Sequence, residues 1–343
     1  MVRIDLHAHS TASDGTQSPT ELVIEAAQVG VDTIAITDHD TTSGWQEAAR
    51  AAVDHGITLV RGAEISCERD GRSIHLLGYL VDPTEPVLAA ELARARDSRV
   101  TRLERMVERL AADGIPITYP EVLAHVPPGA TPGRPHLADA LVARGLVVDR
   151  DEAFARWLYN DSPYYVSHYA PDPARAVGLV LAAGGVPVLA HPYAGRKGLA
   201  PIPELVEELA GVGLVGIEVD HPDHDPAARR EVAELARDLG LVPTGSSDYH
   251  GTGKAVRLGE ELTSRESYDE IVRRARGVAE ADVDPRRVDQ SRAGLRSAPG
   301  LQPPVAQSVV GGDPDRRVRP LWPRRRAGAV EVLHPVAARA VQP

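Results

Sequence analysis

Thirteen histidines occur in the chain, and six of them stand beside an acidic partner or at the end of an apolar run: His7, His9, His39, His75, His191 and His250. His7 and His9 are two apart in an extended segment, so both imidazoles face one side, and imidazole is the commonest metal ligand. Asp14 follows in SDGT, where a turn role fits as well. In ITDHD the run Ile34 to Thr37 reads as a buried strand carrying Asp38, His39 and Asp40 at its C-terminal end. His39 is the candidate ligand there; Asp38 and Asp40 suit helix capping or the orientation of an imidazole. Glu64 ends an apolar run in RGAEIS. Burying an unpaired carboxylate there is costly, and a bound metal removes that cost. His75 lies in SIHLLGY, His191 closes VPVLAHP, and Asp248 and His250 close TGSSDYH. Metal sites of this kind use three or four ligands each and share carboxylates, so six imidazoles and three carboxylates predict two or three ions, three preferred. Nitrogen and oxygen donors without sulfur are compatible with manganese, iron or zinc, and the donor set does not select among them. Cys67 is the single cysteine, with no neighbouring cation to activate it, and is not a candidate nucleophile.

These ligands need strand ends to hold them. Up to about residue 97 the order is strand, helix, strand, helix, strand: Val2 to His9, a helix opened by the Ser18–Glu21 capping box and closed at Gly30, Val31 to Thr37, a helix through Trp45 ending at Gly56, and Ile57 to Ile65. Parallel pairing is expected for this alternation. From Val100 to Val166 only helical patterns occur, at Val100 to Ala112, Tyr119 to His125, Arg134 to Arg144 and Asp151 to Leu158. Alternation then resumes, with helices at Pro173 to Ala183, Pro203 to Ala210 and Pro226 to Leu239, and strands at Val186 to Ala190, Leu214 to Val219 and Leu241 to Gly245. Six or seven strands alternating with helices predict an α/β barrel. The expected division is a barrel over 1–99 and 168–283, an inserted helical domain at 100–167, and a Pro/Arg-rich tail at 284–343. The tail holds 11 Arg, 5 acidic residues, 9 Pro and no Ile, Phe or Tyr, and disorder is expected there.

The 343 residues carry 38 Lys+Arg against 49 Asp+Glu, a net charge of −11, and residues 1–283 alone carry −17. Duplex-DNA binding by a broad cationic face is excluded on that balance. No apolar run reaches the roughly 18 residues of a membrane span, and MVRIDLHAHS lacks a signal-type apolar core. With a single thiol, the expectation is a cytoplasmic protein with no membrane partner.

Taken in order, HAHSTASDG, ITDHD, GAEIS, IHLLGY, LAHP and SSDYHG resemble the successive motifs of the PHP (polymerase and histidinol phosphatase) family over about residues 1–275. The resemblance implies a distorted (β/α)7 barrel with a trinuclear metal centre that hydrolyses phosphate esters by attack of a metal-bridging hydroxide. It assigns His7, His9, Glu64 and Asp248 to one ion, Glu64, His75 and His191 to a second, and Asp14, His39 and His250 to a third. Asp14, His39, Glu64, Asp248 and His250 are thereby the expected catalytic residues. The insertion's TPGRPHLADAL and the later AGGVPVLAHP resemble the branch that removes phosphate from nucleoside 3′,5′-bisphosphates, whose relatives trim RNA 5′ ends. Arg134 and His136 resemble that branch's phosphate clamp, and Arg suits the role because its fork can bond two phosphate oxygens. Ser66, Tyr165, Arg196, Lys197 and His221 follow or face strand ends from which a substrate is within reach, with a surface role the preferred reading for each. The expected partner is a small phosphorylated substrate, a nucleotide, with short RNA as the other possibility. Competing readings are a histidinol-phosphate-type phosphatase, a 5′–3′ exoribonuclease and a polymerase-associated metal-binding module; the absence of a polymerase-sized sequence favours a free-standing enzyme.

Overall fold

The computed structural model describes residues 2–160, 162–194 and 202–276. Arg196, Lys197 and the 284–343 segment lie outside the described residues.

Seven strands form one sheet in chain order: β1 (Ile4–Asp5), β2 (Thr33–Ile36), β3 (Thr58–Arg69), β4 (Arg72–Tyr79), β5 (Val186–Leu189), β6 (Gly216–Asp220) and β7 (Val242–Gly245). A parallel bridge between Ala8 and Tyr249 joins the two ends of this order, so the strands form a nearly closed barrel. Parallel pairing holds for β1–β2–β3 and β5–β6–β7, whereas β4 runs antiparallel to both neighbours. The expected strict alternation is broken at this point by a hairpin. Asp70 and Gly71 adopt φ of 53° and 73°, the left-handed pair of a tight two-residue turn, and no helix separates β3 from β4.

Helices α1 (Pro19–Val29) and α2 (Trp45–His55) cover the parallel half. Ser18 caps α1 through Glu21 with Pro19 at the first turn, and Gly30 ends it at φ 75°. A longer helix, α3 (Pro86–Ala112), runs through position 100. Its Leu88 and Leu92 pack into the barrel core, while Leu103, Met106, Val107 and Leu110 pack with α4 (Tyr119–Leu123), α5 (Arg134–Ala143), α6 (Arg150–Ala153) and the π-helical turn Phe154–Leu158. One helix thus belongs to two cores, so the helical segment is anchored to the barrel by continuous backbone. The chain returns through α7 (Pro173–Ala182), α8 (Ile202–Gly211), α9 (Pro226–Leu239) and α10 (Arg265–Arg274), the last of which the sequence reading had not marked.

Candidate metal centre

The strands deliver their polar residues to one end of the barrel. His7 and His9 follow β1, His39 follows β2 and pairs with Glu64 as β3 extends beyond it, His191 follows β5, and Asp248 and His250 follow β7. Because β4 is antiparallel, His75 reaches the same end from the strand's first half, opposite Ser66. Two of these positions are held at left-handed backbone angles, His191 at φ 22° and Asp248 at φ 51°. Such angles cost of order 1–3 kcal/mol in a non-glycine residue and persist where the surroundings fix them.

Glu64 is the hub. Its Oε2 lies 3.2 Å from His7 Nε2, 3.1 Å from His9 Nε2 and 3.1 Å from His39 Nδ1. Its Oε1 lies 2.7 Å from His75 Nδ1 and 3.0 Å from His191 Nε2. Asp248 Oδ1 stands 3.5 Å from His7 Nε2 and 3.3 Å from His9 Nε2. Asp14 lies 3.5 Å from His250 Nε2, 3.7 Å from His39 Nε2 and 3.6 Å from His9 Nδ1. All nine expected ligands are therefore brought together: among the described residues eight overlap in clusters built on His7–His9–Glu64–Asp248, His39–Glu64–His75 and His9–Asp14–His39–His250, and His191 stands in two more, with His7 and Glu218 and with His221 and Asp248.

The donor set fits divalent cations. Ligand atoms around a cation at 2.0–2.2 Å stand roughly 3.0–3.6 Å apart, the spacing seen here. The Nδ1 atoms of His39 and His75 are buried without a hydrogen-bond partner although each lies close to a Glu64 oxygen. Their lone pairs are thus directed beside the carboxylate, as metal ligation requires. Buried charge points the same way, since Glu64, Asp14 and Asp248 are at most 6% exposed and an uncompensated buried carboxylate costs several kcal/mol. Burial alone would raise Glu64, yet the charges of His39, His75 and His7 beside it hold its carboxyl well below the usual carboxylate range. For Asp248 the same burial is outweighed by Lys254 and His7.

Groups behind the ligands fix their orientation. Glu218 accepts His7 Nδ1 at 3.0 Å and the His191 backbone N–H at 2.8 Å, and also takes a short bond from the Ser246 hydroxyl. His7 is thereby set to present Nε2 to the cluster. Asp38 accepts the Ser10 N–H at 2.8 Å and the Ser10 and Ser13 hydroxyls at 2.7 Å, which secures the loop after His9. Asp40 accepts the Ser66 N–H at 2.8 Å and pairs with Arg99 at 2.9 Å. A Cβ on Gly15 would sit 2.3 Å from the His9 carbonyl oxygen, so glycine is what allows the Asp14 loop to fold back there.

Beside the cluster opens a cavity of about 350 Å³ lined by Asp14, His39, His75 and His250, by Arg99 and Arg102 of α3, by Arg134 and Arg150 at the starts of α5 and α6, and by Tyr165 and His168 on the segment before α7. Arg134 donates to the Leu158 carbonyl at 2.7 Å and to Asn160 Oδ1 at 2.8 Å, and lies over the rings of Phe154 and Tyr165. Arg102 meets His168 Nδ1 at 3.3 Å and faces Tyr165. Burial, with Arg134 and Arg99 adding repulsion, pushes Arg102 down from the ordinary guanidinium value, and burial does the same to Arg134. His136 is not among the cavity-lining residues. It is 3% exposed and its Nδ1 accepts the Gly133 N–H at 3.0 Å, so it shapes the turn that presents Arg134. Ser66 and Tyr165 do line the cavity, whereas His221 stands with its Nε2 3.4 Å from Asp248 Oδ2.

Comparison with known proteins identifies the family. The PHP domain matches residues 5–99. Over 257 residues the chain is 36% identical to the 3′,5′-nucleoside bisphosphate phosphatase of Chromobacterium violaceum, covering 75% of this chain and 90% of that protein. The chain belongs to the PHP family. The PHP chain is also 35% identical over 260 residues to the 5′-3′ exoribonuclease of Haemophilus influenzae, covering 76% of this chain and 94% of the other. A crystal structure from Bifidobacterium adolescentis, described as a metal-dependent phosphoesterase, superposes on it with a TM-score of 0.77 at 40% identity, over 81% of this chain and 97% of that one.

Sequence reasoning passed over Glu218, Arg99, Arg102, His168 and Lys254 of this PHP chain. Glu218 carried a readable signal, an acidic residue inside the apolar run VGIEVD, the same one that identified Glu64. The arginines carried none, because α3 presents many charged residues and only the fold shows which turn toward the barrel.

Proposed function

We propose that this PHP-family chain is a metal-dependent phosphoester hydrolase that removes the 3′-phosphate of nucleoside 3′,5′-bisphosphates. The observation that carries the reading is the arginine wall beside the ligand cluster. Among the described residues neither Arg102 nor Arg134 has a carboxylate partner, and both stand in the same cavity as His39 and His75. A hydrolytic centre for monoesters needs one phosphate site; a wall of guanidiniums without carboxylate partners next to it, Arg102 buried and Arg134 partly so, supplies a second. A nucleoside bisphosphate uses both, and the naming of the Chromobacterium relative supports the same choice.

In this reading two or three divalent ions, manganese first and iron or zinc as alternatives, are held by His7, His9, Glu64 and Asp248, by Glu64, His75 and His191, and by Asp14, His39 and His250. Bound there, they supply Lewis acidity toward the phosphoryl oxygens and bring the pKa of water toward about 7. The protein's own groups position the substrate. Arg102 and Arg134 bond the 5′-phosphate, Tyr165 closes that side, and Glu218 keeps His7 in the tautomer that faces the cluster. Residues 100–167 act as an insertion that carries this wall between barrel parts 1–99 and 168–283. A cytoplasmic location belongs to the same proposal and is supported by the lone, buried Cys67.

Phosphate release by the metal-reconstituted protein tests it, with nucleoside 3′,5′-bisphosphate, nucleoside 5′-monophosphate and histidinol phosphate as substrates and His39→Ala as control. The expected result is strong preference for the bisphosphate, lost in the variant. Equal rates on the 5′-monophosphate would remove the wall from the reaction.

A further inference from the structure

The cavity carries cations on two sides of the ligand cluster. Arg99, Arg102 and Arg134 stand on the β2–β4 side, where Arg99 bonds Asp40 and the Ser66 hydroxyl. Lys254 lines the same cavity from the loop after β7, with its Nζ 2.5 Å from Asp248 Oδ2. In a ring ordered β1 to β7 and joined through Ala8 and Tyr249, β3 and β7 are far apart in either direction, so the cluster lies between the two cationic sides.

A nucleoside 3′,5′-bisphosphate uses the cluster and the arginine wall and leaves the Lys254 side without substrate. A phosphodiester uses that side. When the 3′-phosphate bears a further nucleotide, the added strand extends from phosphorus away from the nucleotide held at the wall. We infer that Lys254 binds this outgoing strand through its phosphates and sets how well the site takes short 5′-phosphorylated RNA relative to the mononucleotide. The inference rests on the reading of the cluster as a phosphoester site. In the step concerned, the oxygen of water bonds to phosphorus and the P–O3′ bond breaks. The 3′-oxygen leaves as a hydroxyl with one of the water's protons, and the shortened strand keeps the phosphate on its 5′-oxygen.

The side chain suits the task. An ammonium has three donors, so one bond to Asp248 leaves two for a phosphate, and Lys254 is 39% exposed, within reach of a strand arriving from solvent. A guanidinium stacked on a ring, as Arg134 is, has a fixed fork instead. The chain contains 36 Arg and only two Lys, Lys197 and Lys254, so a lysine at this position stands against its own composition. Arg150 lines the cavity beside Gly253 but is already paired with Asp139, so with −17 on residues 1–283 the cationic charge on the outgoing side suits short strands rather than long ones.

The experiment compares wild type, Lys254→Met and Lys254→Arg. It measures kcat/KM for a nucleoside 3′,5′-bisphosphate and for a 5′-phosphorylated RNA pentamer, the inhibition constant of the pentamer against bisphosphate hydrolysis, and metal bound per chain. Lys254→Met is expected to weaken the pentamer at least about tenfold more than the bisphosphate, the loss of one charge-assisted contact. The salt dependence of pentamer binding should flatten by about 0.7 in log–log slope. Lys254→Arg should restore most of the difference, with metal content equal in all three. Equal losses on both substrates, or metal loss in Lys254→Met, would assign Lys254 to Asp248 alone and overturn the inference, as would a wild type that neither cleaves the pentamer nor is inhibited by it. If the bisphosphate is not hydrolysed, the preceding reading fails by itself, and pentamer binding to the metal-loaded proteins by fluorescence anisotropy still decides the role of Lys254.

Discussion

The floor and the wall of the cavity handle buried charge in opposite ways. On the floor, carboxylates and imidazoles from six strands interleave, and Glu64 alone touches His7, His9, His39, His75 and His191. Outer groups such as Glu218 and Asp38 then bond those ligands or their loops. The wall has like charges and few counter-charges: Arg99 has Asp40, while Arg102 and Arg134 rest on His168, carbonyls, an amide and aromatic rings. Interleaved opposite charges specify cations bound for long times. Repelling guanidiniums held by packing specify an anion that comes and goes. In the proposed function the two surfaces therefore divide the work, one holding the reagent and the other the substrate.

Changes on the floor should be the most damaging. Glu64→Gln removes charge from the group shared by five imidazoles, and the expected loss in kcat/KM exceeds the 10–100-fold typical of groups that only orient ligands, with bound metal reduced in elemental analysis. Activity within tenfold of wild type would show that the clusters are not the reactive centre. On the wall, Arg134→Ala should cost about 10–100-fold in kcat/KM for the bisphosphate, since a hydrogen bond to a charged group contributes about 1.5–3 kcal/mol, and should leave metal content intact. Arg134→Lys should recover only part of it, because a point charge does not reproduce the fork. If kcat/KM is unchanged in Arg134→Ala, the wall does not bind substrate. Glu218→Gln separates the two surfaces from behind: metal affinity should fall by about 10-fold or somewhat more, while the bisphosphate KM at saturating metal stays near wild type.

Legibility in the sequence followed the same division. Floor residues could be read because strand ends are sequence-local: an imidazole or carboxylate closing an apolar run, as in ITDHD or VPVLAHP, already states its position in the barrel. The capping box at Ser18 and Glu21 and the closing Gly30 were equally local and equally visible. The direction of β4 was missed although Asp70-Gly71 was there to be read, because an apolar strand shows no polarity and only the turn before it does. Wall residues were mostly hidden. Arg99 and Arg102 lie on a 27-residue helix whose turns are charged all round, and which turn faces the cluster depends on how two separate cores hold its two halves. Arg134 was found only through the resemblance of its GRPH motif.

The smallest expected effect belongs to His168, where the wall's repulsion can be measured without any substrate. Burial, reinforced by Arg99, Arg102 and Arg134, pushes this imidazole down to about 2, so it stays neutral in the folded protein while the unfolded chain protonates it near 6.5. A group whose folded value is depressed contributes stability that is present above the unfolded value and lost as pH falls below it. Between pH 7 and pH 5 the folded protein should therefore lose stability through this site, by about 1 kcal/mol once partial exposure is allowed for, or a Tm change of about 2–4 °C. His168→Gln keeps a polar group beside Arg102 and removes the titration, so its Tm should fall less over the same interval than that of wild type. Titrating floor residues contribute equally to both proteins, which leaves the difference to the wall. Parallel Tm curves for the two proteins would mean that water or a bound anion already compensates the guanidiniums, and that the wall resembles the floor more closely than its contacts indicate.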